Sequence, residues 1–194
     1  MSKKLTIIKT DKPFWFFVDQ ADEDYIAARL LTFCGKTMWH TAAYHSHQAV
    51  EKYIKSYLVQ ESQEYPETHN LKVLGKFGEQ FNDLFKKKEI KNYLKEFDQF
   101  EQVSRYGGFA KYDPLSTKNK LFSTAGSFAW TDSNLKSLDG LVFDLKKLLN
   151  FSGNSSFNSL DAVLKNDKKV GFVSDWRLPI PINKVLVSDN DHFQ

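Results

Sequence analysis

His47, Gln48, Glu51 and Lys55 are separated by one, three and four positions, so on a helix they fall along one polar stripe. Glu51 and Lys55 stand in the favourable acid-before-base order for a contact one turn apart. The amide of Gln48 suits a base or sugar edge. Farther along, Arg105 offers a guanidinium fork for a phosphate, and Tyr106 a ring for stacking. If Arg105 faced the stripe across a groove, these six side chains would make a site for a ligand carrying phosphate, sugar and base. The same placement would equally suit a partly buried Arg105–Glu51 ion pair that locks two helices together. The sequence leaves both readings open.

Other constellations are thin. His45 and His47 are two apart and point to different faces of a helix, while His40, His47 and His69 meet only if the tertiary fold brings them together. Neither arrangement predicts a metal site. Cys34 is the single cysteine, so there is no internal disulfide; its place after Leu30 and Leu31 predicts a small core residue. Gly107-Gly108 lacks the remainder of a phosphate-binding loop, no Gly-x-Ser-x-Gly elbow occurs, and Lys86–Lys88 reads as a solvated junction. No catalytic residue, metal or cofactor is assigned.

The stripe needs a long helix to carry it. Trp39–Val59 contains neither Pro nor Gly, and Ala43, Val50, Ile54, Tyr57 and Leu58 give it an apolar side. Before it, a helix is expected from Asp22 to about Gly35, with Asp22, Glu23 and Asp24 compensating the dipole at its N-terminus. Leu5–Ile8 and Phe14–Val18 read as extended, or as a lead-in packed on the bundle, around the turn Asp11-Lys12-Pro13. Thr68 is the expected cap of a third helix carrying Leu71, Leu74, Phe77, Phe81, Leu84 and Phe85, with His69 capping or packing at its start. A fourth carries Ile90, Tyr93, Leu94, Phe97 and Phe100. After a long irregular stretch, the last repeats Leu135, Leu138, Val142, Leu145 and Leu149 at intervals of three and four.

The expected fold is therefore all-α, an up-and-down antiparallel bundle of about five helices. Residues 1–18 are expected to form an N-terminal extension packed on the bundle, 19–150 the bundle, and 151–194 a linker and C-terminal extension with a small hairpin. At 194 residues one domain with extensions fits; a net charge of +3 permits an anionic partner without demanding one. No stretch reaches the ~18 apolar residues of a membrane span, and a cytoplasmic protein is expected.

Tyr44–Lys55 resembles the second helix of HEPN domains, where Gln-Ala-x-Glu-Lys is followed by a further Lys. Asp24–Leu31 resembles the first helix of that family, Thr68–Leu71 the start of the third and Arg105-Tyr106 the end of the fourth, together covering roughly residues 20 to 150. The resemblance implies nucleotide or RNA binding, a homodimer, and a prokaryotic defence or toxin–antitoxin setting beside a nucleotidyltransferase-type or antitoxin partner. In members that cleave RNA, an Arg is followed four to six residues later by a His. Here Arg105 is followed by Tyr106-Gly107-Gly108-Phe109-Ala110-Lys111, with no His at that spacing. The implied role is thus non-catalytic binding. The rivals are a metal-independent ribonuclease with a displaced histidine, His45 or His47, and a structural dimer or adaptor.

Overall fold

The computed structural model describes residues 5–34, 38–101 and 132–149. Within them lie strand β1 (Ile7–Lys9), helices α1 (Trp15–Phe33) and α2 (Trp39–Ser62), strand β2 (Glu64–Pro66), helix α3 (Leu71–Gly78), a 3₁₀ turn (Asp83–Lys86), helix α4 (Lys88–Asp98) and helix α5 (Asp132–Leu148). The chain is an all-α bundle with one small two-stranded sheet, as the helical periodicity required.

Helix α1 begins earlier than its acidic residues suggest. Pro13 presets the turn, Phe16 N–H donates to the Pro13 carbonyl at 3.1 Å, and Phe14–Val18 winds into the helix instead of extending. Burial overrides the strand propensity of this segment: Val18, Ala21, Tyr25 and Ala28 repeat at three and four and face the core. Asp22 and Asp24 consequently sit about two turns inside the helix and do not serve its N-terminus. Cys34 corrects a second expectation: it is exposed at the end of α1, with its thiol donating to the Leu30 carbonyl.

Helix α2 is the central element and packs most extensively on α1. Ser56 Oγ donates to the Phe14 carbonyl near one end, and Lys52 reaches Asp24 farther along, so α1 and α2 form an antiparallel hairpin. Gln63 terminates α2 in the left-handed region, φ 56°, its N–H returning to the Val59 carbonyl at 2.9 Å. The reversal lets β2 pair antiparallel with β1, in the register Ile7–Pro66, Ile8–Tyr65 and Lys9–Glu64. The N-terminal strand is thereby attached to the loop that leads into α3.

Asn70, not Thr68, caps α3, its side chain accepting from Val73 N–H at 3.0 Å. The helix expected to run through Phe85 stops at Gly78. Asn82 then caps the 3₁₀ turn, which buries Leu84 and Phe85. Gly75 and Gly78 explain how α3 can lie so close to its neighbours. A Cβ on Gly75 would fall 2.4 Å from Leu94 Cδ1, and one on Gly78 2.8 Å from the Phe85 ring. In α4, Ile90, Leu94 and Phe97 are buried; in α5, Leu135, Leu138, Val142 and Leu145 are buried as their spacing predicts, joined by Leu141 and by Leu149 just past its end.

Two ionic groups tie α5 to the hairpin. Arg29 pairs with Asp139, whose carboxylate also accepts from the Tyr25 hydroxyl at 2.6 Å. Lys146 Nζ lies 3.2 Å from Asp22, which also accepts from the Tyr53 hydroxyl. Arg29, Asp22, Tyr25 and Tyr53 are all fully buried. The expected irregular segment after Gly107-Gly108 and the C-terminal extension at 151–194 lie outside the described residues.

Candidate functional site

Two carboxylates organise the polar side of α2. Glu51 is the inner one. Lys55 Nζ donates to its Oε1 at 2.7 Å, His69 Nδ1 stands 3.1 Å from both oxygens, and His47 Nε2 approaches Oε2 to 3.4 Å. Burial pushes this carboxyl up. The close approach of His47, the charge and hydrogen bond of Lys55 and the charge of His69 outweigh that and hold it at about 2. Lys55 also lies 5.2 Å over the Tyr65 ring. His69, expected to cap or pack at the start of α3, bridges instead to α2.

His47 is completely buried. Its Nδ1 is 3.0 Å from the Phe97 carbonyl oxygen, which only accepts, so Nδ1 carries a proton and donates to it. Its Nε2 meets Glu51 off line, too poorly aligned for a hydrogen bond. Through Glu51 and His47, α2 is fixed to the turn before α3 and to the end of α4.

Asp24 is the outer carboxylate. Its Oδ1 is 2.7 Å from His45 Nδ1, and its Oδ2 accepts from Lys52 Nζ at 2.5 Å. One α1 side chain thus holds an imidazole and an ammonium that lie two turns apart on α2. His45 is 28% exposed, and with Nδ1 engaged, Nε2 is the nitrogen left to meet a ligand. The Tyr44 ring stands edge-on to His45, centroids 5.3 Å apart. Gln48 is half-buried, three residues after His45 and four before Lys52, so the three share one face of α2.

The stripe read from the sequence is therefore divided. His47 and Glu51 turn inward as joints between helices; Gln48 faces outward between His45 and Lys52; Lys55 stands at the boundary, charge-paired with Glu51. Arg105 and Tyr106 lie outside the described residues. Glu51 satisfies its charge locally through Lys55 and His69. Lys52 carried a sequence signal, since 45, 48 and 52 follow the three–four rule. Asp24 carried none, because its role depends on how α1 packs against α2.

Chemically, the outward face supplies hydrogen-bond donors and one imidazole edge but little net charge, since Asp24 offsets Lys52. Among the described residues no group of three or more His, Cys, Asp or Glu could hold a metal ion, and no helix is long and apolar enough to cross a membrane.

Comparison with curated proteins and with solved structures finds no match to this chain. The HEPN domain family model matches residues 14–130, from the residue before α1 through α4 and beyond. With more than half its length matched, the chain belongs to the HEPN domain family.

Proposed function

We propose that the His45–Gln48–Lys52 face of α2 binds a nucleotide or a short single-stranded RNA without cleaving it. The observation that carries this reading is Asp24 holding His45 and Lys52 side by side, with Gln48 between them. A preset cluster of donors loses little side-chain freedom on meeting a phosphate or sugar edge. The small net charge argues against a duplex, whose recognition rests on many cations neutralising phosphates. Arg105 and Tyr106 would add phosphate and stacking contacts from the end of the family's fourth helix. In this reading the protein works as a homodimer in a prokaryotic defence or toxin–antitoxin system, beside a nucleotidyltransferase-type or antitoxin partner.

One observation favours a second reading, the ribonuclease with a displaced histidine. A carboxylate on Nδ1 that leaves Nε2 uncommitted is the arrangement a proton-transferring imidazole needs, and partly exposed His45 has it. His47 does not, being buried with Nδ1 committed to Phe97.

Thermal unfolding of wild type, Lys52→Met and His45→Gln, with mononucleotides and short single-stranded RNAs, tests both. A ligand at ~100 times its Kd adds about 2.7 kcal/mol of stability. Stabilisation of wild type that Lys52→Met loses while remaining folded, with the RNA recovered intact, is the expected result. Cleaved RNA that His45→Gln leaves whole selects the ribonuclease. No shift with any ligand would sink the binding reading and leave the structural adaptor.

A further inference from the structure

The β1–β2 sheet has two outer edges, and they are not equivalent. Thr6 accepts from Glu67 N–H and Thr10 N–H donates to the Gln63 carbonyl, so the even-numbered residues 6, 8 and 10 face β2. The backbone N–H and C=O groups of Leu5, Ile7 and Lys9 therefore point away from β2, and no backbone partner meets them among the described residues. On β2 the corresponding outward position opposite Ile7 is Pro66, which has no N–H to offer. One edge is blocked and the other is open.

The side chains around the open edge are as unusual as its backbone. Leu5 and Ile7 are exposed large apolar residues, 45% and 37% accessible. Leu5 also lines an open groove of about 700 Å³ against the outer face of α3, where Val73 and Phe77 supply more apolar wall. Lys72, Lys76 and Lys86 ring that groove, each more than half exposed. Each is paired, with Asp98, Glu79 and Asp83 respectively; only the Lys86–Asp83 pair is exposed at both ends, while Asp98 and Glu79 are largely buried and it is the lysine ends that stand in solvent.

We propose that this edge and groove dock an extended segment of a partner protein, alternating apolar and acidic residues, which adds to β1 as a third strand. Main-chain bonds to Leu5, Ile7 and Lys9 would hold the segment, its apolar side chains covering Leu5, Ile7 and Phe77 while its carboxylates meet Lys72, Lys76 and Lys86. A matching strand needs about five residues, or roughly 17 Å. Charge complementarity selects the acidic peptide: three lysines and one carboxylate, Glu79, line the groove, while Asp98 and Asp83, the partners of Lys72 and Lys86, stand outside its lining. This site lies on α3 and β1, separate from the His45 face of α2.

The test uses the full chain and a fluorescent ten-residue peptide alternating Val and Glu, with a Val–Lys peptide as control. Saturable binding of the Val–Glu peptide alone is expected, with amide exchange slowed at Leu5 and Ile7. Ile7→Pro removes one outward N–H without touching a bond to β2 and should weaken binding about fivefold, the worth of one hydrogen bond. Lys76→Glu lies on the helix surface, leaves the strand alone, and should weaken binding about tenfold by placing like charges together. No binding, or equal affinity for both peptides or for all three proteins, overturns the proposal. Self-association that Ile7→Pro abolishes, without peptide binding, would also overturn it and give the edge to a second copy of the chain.

Discussion

Glu51 shows how one buried carboxylate can govern the pH response of a fold. Its carboxyl stands at about 2 in the folded chain against an ordinary 4.5. A depressed value means the folded state favours the charged form, so the stabilisation is complete above about pH 4.5 and is lost as pH falls toward 2. The ceiling is about 3 kcal/mol at ~1.4 kcal/mol per pH unit. Urea unfolding of wild type and Glu51→Gln at pH 6 and pH 3 would check it. The variant is expected to be less stable at pH 6 and to lose less on acidification; equal slopes would show that Glu51 is not the titrating group. The Glu51–Lys55 pair was legible from spacing alone, because both residues share a helix. His69, eighteen residues away, and Asp24 beneath His45 were not, because only the packing of one element on another brings them in.

At the scale of elements, periodicity located α4 and α5 because each buries a stripe against neighbours on one side, and α2, which is buried around most of its circumference, was located by its long run without Pro or Gly. It failed at Phe14–Val18, where aromatic composition suggested extension but burial made helix, and at Gly78, where apolar spacing continued through a change from helix to turn. The glycines yield opposite predictions for one substitution. Gly75→Ala would drive a methyl into Leu94, buried in the core, at a cost of about 1–3 kcal/mol. Gly140→Ala in α5 meets nothing within 4 Å and should stabilise by ~0.5–1 kcal/mol, since glycine is the poorer helix former. Paired thermal melts decide the matter: a destabilised Gly140→Ala or a neutral Gly75→Ala would contradict the packing described.

For the whole molecule, the decisive joint is between α5 and the α1–α2 hairpin, and nothing in the local sequence announced it. Tyr25 and Arg29 fall in the helix that resembles the family's first, but the reading of the last helix rested on its apolar repeat and did not single out Asp139. Asp139→Leu leaves the Arg29 guanidinium buried without its carboxylate and should cost about 3–5 kcal/mol. Adding Arg29→Met removes the stranded charge and should recover most of that loss. A double-mutant cycle by urea titration measures the coupling, and strictly additive costs would show that the pair does not act as a unit.

The two ionic groups also carry information about direction. Asp22 and Arg29 lie seven residues apart on α1, and Asp139 and Lys146 lie seven apart on α5, acid before base in each case. Asp22 meets Lys146 and Arg29 meets Asp139, so each helix's acid finds the other's base only when the two run head to tail. Turned end for end, α5 would bury acid against acid and base against base; slid by one turn, it would leave charges stranded. Leucine stripes tolerate either error, since one apolar ridge fits another in many alignments. Three buried charges and the largely buried Lys146 therefore act as an arrow drawn on an otherwise reversible helix, telling the last helix of the bundle which way to lie.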